Sequence, residues 1–154
     1  MVTPSHPIHP VSPRTGLPLI PKGRPERTAH CDGPAPEELR AGIDQFNRGE
    51  YWACHETLEE LWRAEPDPVR YLYQGVLLAG VGLYHLRRGN RRGALSKLRA
   101  GHALLAPYAP SCMGIDIARL RDDVEHILAH LDSLDPAAPV SLAAALVPTI
   151  TIVG

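Results

Sequence analysis

From residue 36 onward, apolar positions recur every three or four residues, and the runs are broken by glycine and proline. That is the pattern of successive amphipathic helices. A first helix is predicted over about 36–48, with Glu37 and Glu38 at its positive end and Gly49 as its stop. A second covers 51–64 and ends before Pro66. Asp67 as cap, with Pro68 in the first helical position, opens a third over about 68–88, which Gly89 closes. Asn90 caps a fourth over about 91–106, stopped by Pro107, and Asp116 caps a fifth. In the fifth, Ile117, Leu120, Val124, Ile127, Leu131 and Leu134 form one apolar stripe. Short connections make consecutive helices antiparallel neighbours. The expected fold is therefore all-α, a compact irregular bundle of about five helices over residues 35–134.

Both ends depart from this pattern. Residues 1–34 carry repeated prolines, which remove backbone donors and block helix, so they read as an extended Pro-rich arm. Residues 135–154 hold Pro136, Pro139 and Pro148 and then a β-branched run from Thr149 to Val153. They read as an extended tail, either a short strand or a strap over the core.

Composition narrows the function classes. Net charge is −1, so no overall field favours nucleic acid or a membrane surface. The most apolar stretch, Val76 to Leu86, is far shorter than the roughly 20 residues a bilayer span needs, and no signal peptide opens the chain. Cys31, Cys54 and Cys112 are an odd, scattered set without a C-x-x-C pair. That argues against a disulfide framework or a thiolate zinc site and fits a cytoplasmic location.

The second helix carries the candidate chemistry. At about 100° per residue, Leu61, Cys54, Leu58, Tyr51, Trp62, His55, Glu59 and Trp52 fill one arc. His55 thus points into the apolar face, with Glu59 one turn on. A buried carboxylate needs a partner, which an imidazole or a metal ion supplies. The third helix is apolar nearly all round, with Gln74 and His85 as exceptions on one face. Its Gly75, Ala79 and Gly82 form a small-residue stripe where a neighbouring helix can approach. His102 lies on the apolar face of the fourth helix. His55, Glu59 and His85 are expected to meet between the second and third helices, with Trp52, Trp62, Gln74 and His102 lining the cluster. Imidazoles plus a carboxylate suit a divalent ion such as zinc, iron or manganese. Equally, they suit a buried polar network whose groups satisfy one another. The string His55-Glu56-Thr57-Leu58-Glu59 approaches the H-E-x-x-H peptidase motif without its second histidine. In the metal reading Glu56 is the general base.

These residues also carry a family resemblance. Phe46-x-x-Gly49-x-Tyr51 is followed by His55-Glu56-x-Leu58-Glu59-x-x-Trp62. Gln74-Gly75, His85, Gly89-Asn90-x-x-Gly93-Ala94 and Gly114-Ile115-Asp116 come after. Together they resemble a bacterial and archaeal family of small helical proteins, domain of unknown function family 309, sometimes labelled predicted metal-dependent hydrolase. The resemblance covers about residues 37–132. It implies a compact helical fold and a polar cluster of His55, Glu59 and His85; His102 lies outside what it implies.

Three readings follow. The chain is a non-catalytic interaction or scaffold module, a metal-dependent hydrolase using His55, Glu59 and His85 as ligands, or a nucleic-acid or phosphate binder through Arg87, Arg88, Arg91 and Arg92. The first is preferred. Nucleic acid is not expected as a partner, because charge elsewhere offers no matching surplus. A homo-oligomer is compatible with the pattern. Asp122, His126 and His130 lie opposite the Val124 stripe and read as a solvated face.

Overall fold

The computed structural model describes residues 23–143 and 146–153, and most of the Pro-rich arm falls outside them. Five helices form: α1 (Glu37–Asn47), α2 (Tyr51–Ala64), α3 (Arg70–Arg87), α4 (Arg91–Leu105) and α5 (Ile117–Ser133). Short 3-10 turns cover Ala29–Asp32 and Ala106–Tyr108. Two expected caps form: Asn90 Oδ1 accepts from the Gly93 amide at 2.9 Å, and Asp116 Oδ1 from Arg119 at 3.0 Å. Asp67 does not cap α3. The Asp67 and Pro68 carbonyls instead accept from Arg70 and Tyr71 at i+3, so the helix starts two residues later, after a tight turn.

α3 is the central element, with twelve of its residues buried. The small-residue stripe marks the face toward α4. A Cβ built on Gly75 would strike Leu105, and one on Gly82 would strike Leu98. Gly101 answers from α4: its Cβ would lie 2.8 Å from the Gly75 carbonyl oxygen and 3.1 Å from the Ala79 nitrogen. Those obstacles are backbone, so the helices must part to admit a methyl group. Gly101→Ala gains about 1 kcal/mol of helix propensity and loses about 1–3 kcal/mol to overpacking. A net loss of up to about 2 kcal/mol in urea unfolding is expected; a gain in stability would contradict so close an approach.

The α5 stripe is buried as its spacing predicted, with Leu134 at its half-buried end. Between α4 and α5 an antiparallel hairpin not foreseen from the sequence pairs β1 (Ser111–Cys112) with β2 (Ile115–Asp116). It turns through Met113 and Gly114, both at positive φ. The tail straps across it: Ile115 bridges to Ile152, and Val153 N–H donates to the Gly114 carbonyl at 2.8 Å. Asn47 holds Ile150 in both directions, at 2.9 and 2.7 Å.

The cysteine reading is corrected here. Cys31 and Cys112 form a disulfide that fastens the turn before α1 to β1, and only Cys54 is free. The pairing joins residues 81 apart in sequence, a juxtaposition made by the fold and invisible to local spacing. No helix among the described residues is long and apolar enough to cross a membrane.

Candidate functional site

α1 and α2 meet at a tight corner around Gly49, which places Phe46 against Tyr51 edge-to-face at 5.5 Å. This corner sets the angle of α2 on α3 and hence which α2 residues face inward. Tyr51, Cys54 and Leu58 are fully interior. Burial has pushed the Cys54 thiol up to about 12, so no thiolate nucleophile forms there near neutral pH.

Along the rest of the predicted arc, burial falls away. His55 and Glu59 are half-buried, and Trp52 is 51% exposed. His55 Nε2 lies 3.5 Å from Glu59 Oε2, while Arg63 Nη2 donates to Glu59 Oε1 at 2.8 Å. The carboxylate is thus shared between an imidazole and a guanidinium on the same helix. Trp52 stacks over His55 at 4.7 Å and reaches across to Tyr84 at 5.2 Å. Beneath this cover, the buried His55 Nδ1 finds no partner among the described residues. Trp62 lies elsewhere: Arg70, almost wholly buried, stacks on its ring at 4.3 Å.

On α3, His85 faces the start of α4. Its Nδ1 faces Asn90 at 3.4 Å, and a Cβ on Gly93 would come within 2.9 Å of its ring. It therefore belongs to the α4 side, three residues on from Gly82, which packs under Leu98. Tyr84, four residues on from Gly80, takes the α2 side; Gly80 itself lies against Cys54 and Phe46. The sequence reading missed Tyr84, although the Gly80–Tyr84 spacing carried the signal. His102 pairs with Glu125 of α5 at 2.9 Å. Gln74 is half-buried, and Glu56 is exposed on the far side of α2.

His55, Glu59 and His85 are not a group whose ligand atoms all lie within 4.8 Å of one another. Among the described residues the one group of three whose ligand atoms lie within 4.8 Å of one another is His30, Glu65 and Asp67.

Two of the four arginines at the α3–α4 turn hold backbone carbonyls. Arg87 donates to the Gly49 carbonyl at 2.8 Å and covers the Tyr51 ring at 4.6 Å. Arg91 donates to the carbonyls of Leu131, Leu134 and Asp135, closing the C-terminal end of α5. A positive charge in the first turn of α4, unfavourable there, is explained by that second helix end. Arg88 and Arg92 remain exposed. A groove of about 290 Å³ runs beside Tyr51 and Arg87 beneath Val140 and Leu142 of the tail.

Two curated relatives are themselves uncharacterized. A Bacillus subtilis (strain 168) protein, YpuF, is 31% identical over 88 residues, which are 55% of this chain and 51% of that protein. A second, from Aquifex aeolicus (strain VF5), is 24% identical over 93 residues, 60% of this chain and 28% of that protein. The chain therefore spans about half the length of the first and just over a quarter of the second. No solved structure matches it. The matched portion of the chain is the helical part that carries the histidine–glutamate–tryptophan motif: residues 39–96 match the model of the family described as Domain of unknown function (DUF309), the family to which the motif resemblance points.

Proposed function

We propose that the helical body is a non-catalytic interaction module, and that its contact face is the aromatic surface where α2 meets α3. One observation carries this reading: the Glu59 carboxylate is already taken by Arg63 and His55, under a half-exposed Trp52. A hydrolytic centre needs ligands converging on one ion and a base aimed at its water. Here His85 lies toward α4 and Glu56 faces outward. The α2–α3 surface has instead the makings of an interface. Trp52 and Tyr84 stack on it and Arg88 lies over Tyr84 at 5.6 Å; tryptophan, tyrosine and arginine are the residues enriched at binding hot spots. The positive charge of Arg88 beside Tyr84 favours a partner segment with acidic residues around an apolar anchor.

The expected metal behaviour follows. Glu59→Gln and His55→Ala should leave the affinity of the protein for Zn²⁺, Fe²⁺ or Mn²⁺ unchanged, and metal-supplied protein should not hydrolyse ester, amide or phosphate probes. Glu59→Ala should cost about 1 kcal/mol in urea unfolding, because the pair is partly solvated. For the interface, a labelled glutamate-rich peptide with a central leucine should bind in an anisotropy titration, more weakly as salt rises. Trp52→Ala should abolish that binding while changing stability by no more than about 0.5 kcal/mol. A tenfold loss of metal affinity on changing His55 or Glu59, or peptide binding indifferent to Trp52, would defeat the proposal.

A further inference from the structure

We propose that His30, Glu65 and Asp67 form a binding site for a divalent transition-metal ion of the zinc type, which pins the segment before α1 to the loop between α2 and α3.

The three residues come from two places that the fold holds together. His30 lies in the short turn Ala29–Asp32, next to Cys31, whose disulfide to Cys112 anchors that turn to β1. Glu65 ends α2, and Asp67 follows it in the sequence Glu65-Pro66-Asp67-Pro68. Prolines on both sides of Asp67 restrict the backbone that carries it. One polar atom of each residue lies within 4.8 Å of the other two, and His30 Nε2 is 3.7 Å from Asp67 Oδ2. Bonds of about 2.0–2.2 Å in a tetrahedral shell put neighbouring ligand atoms about 3.4 Å apart. Small side-chain rotations close the difference.

Local contacts already orient two of the donors. The Thr28 hydroxyl sits 3.3 Å from His30 Nδ1, which leaves Nε2 as the nitrogen turned to the carboxylates. Glu65 Oε2 accepts from the Asp67 amide at 3.2 Å, bringing the two acidic side chains to the same side of the loop. Two carboxylates beside a neutral imidazole carry two negative charges. Among the described residues, no lysine or arginine forms an ion pair with either. A His30–Asp67 ion pair alone would leave the Glu65 charge outside it and contribute little at this exposure. A divalent cation uses all three and neutralises them. One imidazole with two carboxylates favours zinc or a neighbouring first-row ion over calcium or magnesium, which prefer oxygen alone. His30 and Asp67 are exposed, so an ion can enter directly and solvent completes the shell.

The test is calorimetric titration of the oxidised, untagged full chain, stripped of metal, with Zn²⁺ alone and with Mg²⁺ alone. One equivalent of Zn²⁺ should bind saturably and Mg²⁺ should not. His30→Ala and Asp67→Asn should each weaken Zn²⁺ by at least about tenfold, with unchanged circular dichroism because both positions are exposed. His55→Ala and, on the opposite face of α5, His126→Ala should bind as the parent does. Absence of saturable Zn²⁺ binding, equal binding of Mg²⁺, or an affinity untouched by His30→Ala and Asp67→Asn would overturn the proposal. Sensitivity to His55 would defeat instead the reading of the α2 cluster given above, so the two failures are separable.

Discussion

Replacing Cys31 and Cys112 together by alanine is expected to cost roughly 4 kcal/mol of folding stability. The bond closes a loop of 81 residues that encloses α1 to α4. Freeing a loop of that size returns about 4.5 kcal/mol of chain entropy to the unfolded state at 25 °C, toward the upper end of what native disulfides contribute. Alanine is the better probe than serine, since both sulfurs are buried and a hydroxyl in their place would need a new partner. Urea unfolding of the double variant, and of the parent before and after reduction, measures the effect. Oxidised protein should also titrate as one free thiol per unfolded chain, that of Cys54. Coincident unfolding curves for oxidised and reduced parent would show that the linkage does not constrain the chain. The bond also sits beside His30, so its loss should loosen the proposed ion site along with the turn.

Phe46→Ala is expected to be nearly as damaging, at about 3–5 kcal/mol. Phe46 is 1% exposed, packs edge-to-face on Tyr51 and lies where a Cβ on Gly80 would sit 3.7 Å away. It is the wedge between α1, α2 and α3, and its deletion leaves a void bounded by three helices that cannot all move inward. Chemical denaturation is again the measurement, and a loss below about 1 kcal/mol would contradict so closed a site. The contrast with Trp52, only six residues away, is informative. Both are large aromatics close to Gly49, yet one holds the corner and the other faces outward.

Much of the helical body was legible in the sequence because helix formation is read locally. The stripe from Ile117 to Leu131 is buried throughout, and Asn90 and Asp116 cap where they stand before a periodic run. The Gly75–Ala79–Gly82 stripe announced a close neighbour, and α4 is that neighbour.

The site was only half legible. A helical wheel places His55 and Glu59 side by side, and they pair at 3.5 Å. It cannot say how deep the arc is buried or which neighbour covers each part. Inward burial centres on Cys54 and Leu58, so the His55–Glu59–Trp52 end of the arc becomes a boundary with solvent. On α3, a face shared by Gln74 and His85 implies proximity to some partner, but the packing angles of α2 and α4 assign His85 to α4 and Tyr84 to α2.

What the sequence determined by itself is therefore the set of helices, the caps at Asn90 and Asp116, their apolar faces and the pairing of His55 with Glu59. These depend on residues within a few positions of one another. Only the tertiary structure decided the Cys31–Cys112 bond, the strap of Ile150 and Ile152, the closure of α5 by Arg91 and the meeting of His30 with Glu65 and Asp67. Each of these joins residues brought together by packing across tens of positions, and no local periodicity encodes which distant surfaces will meet.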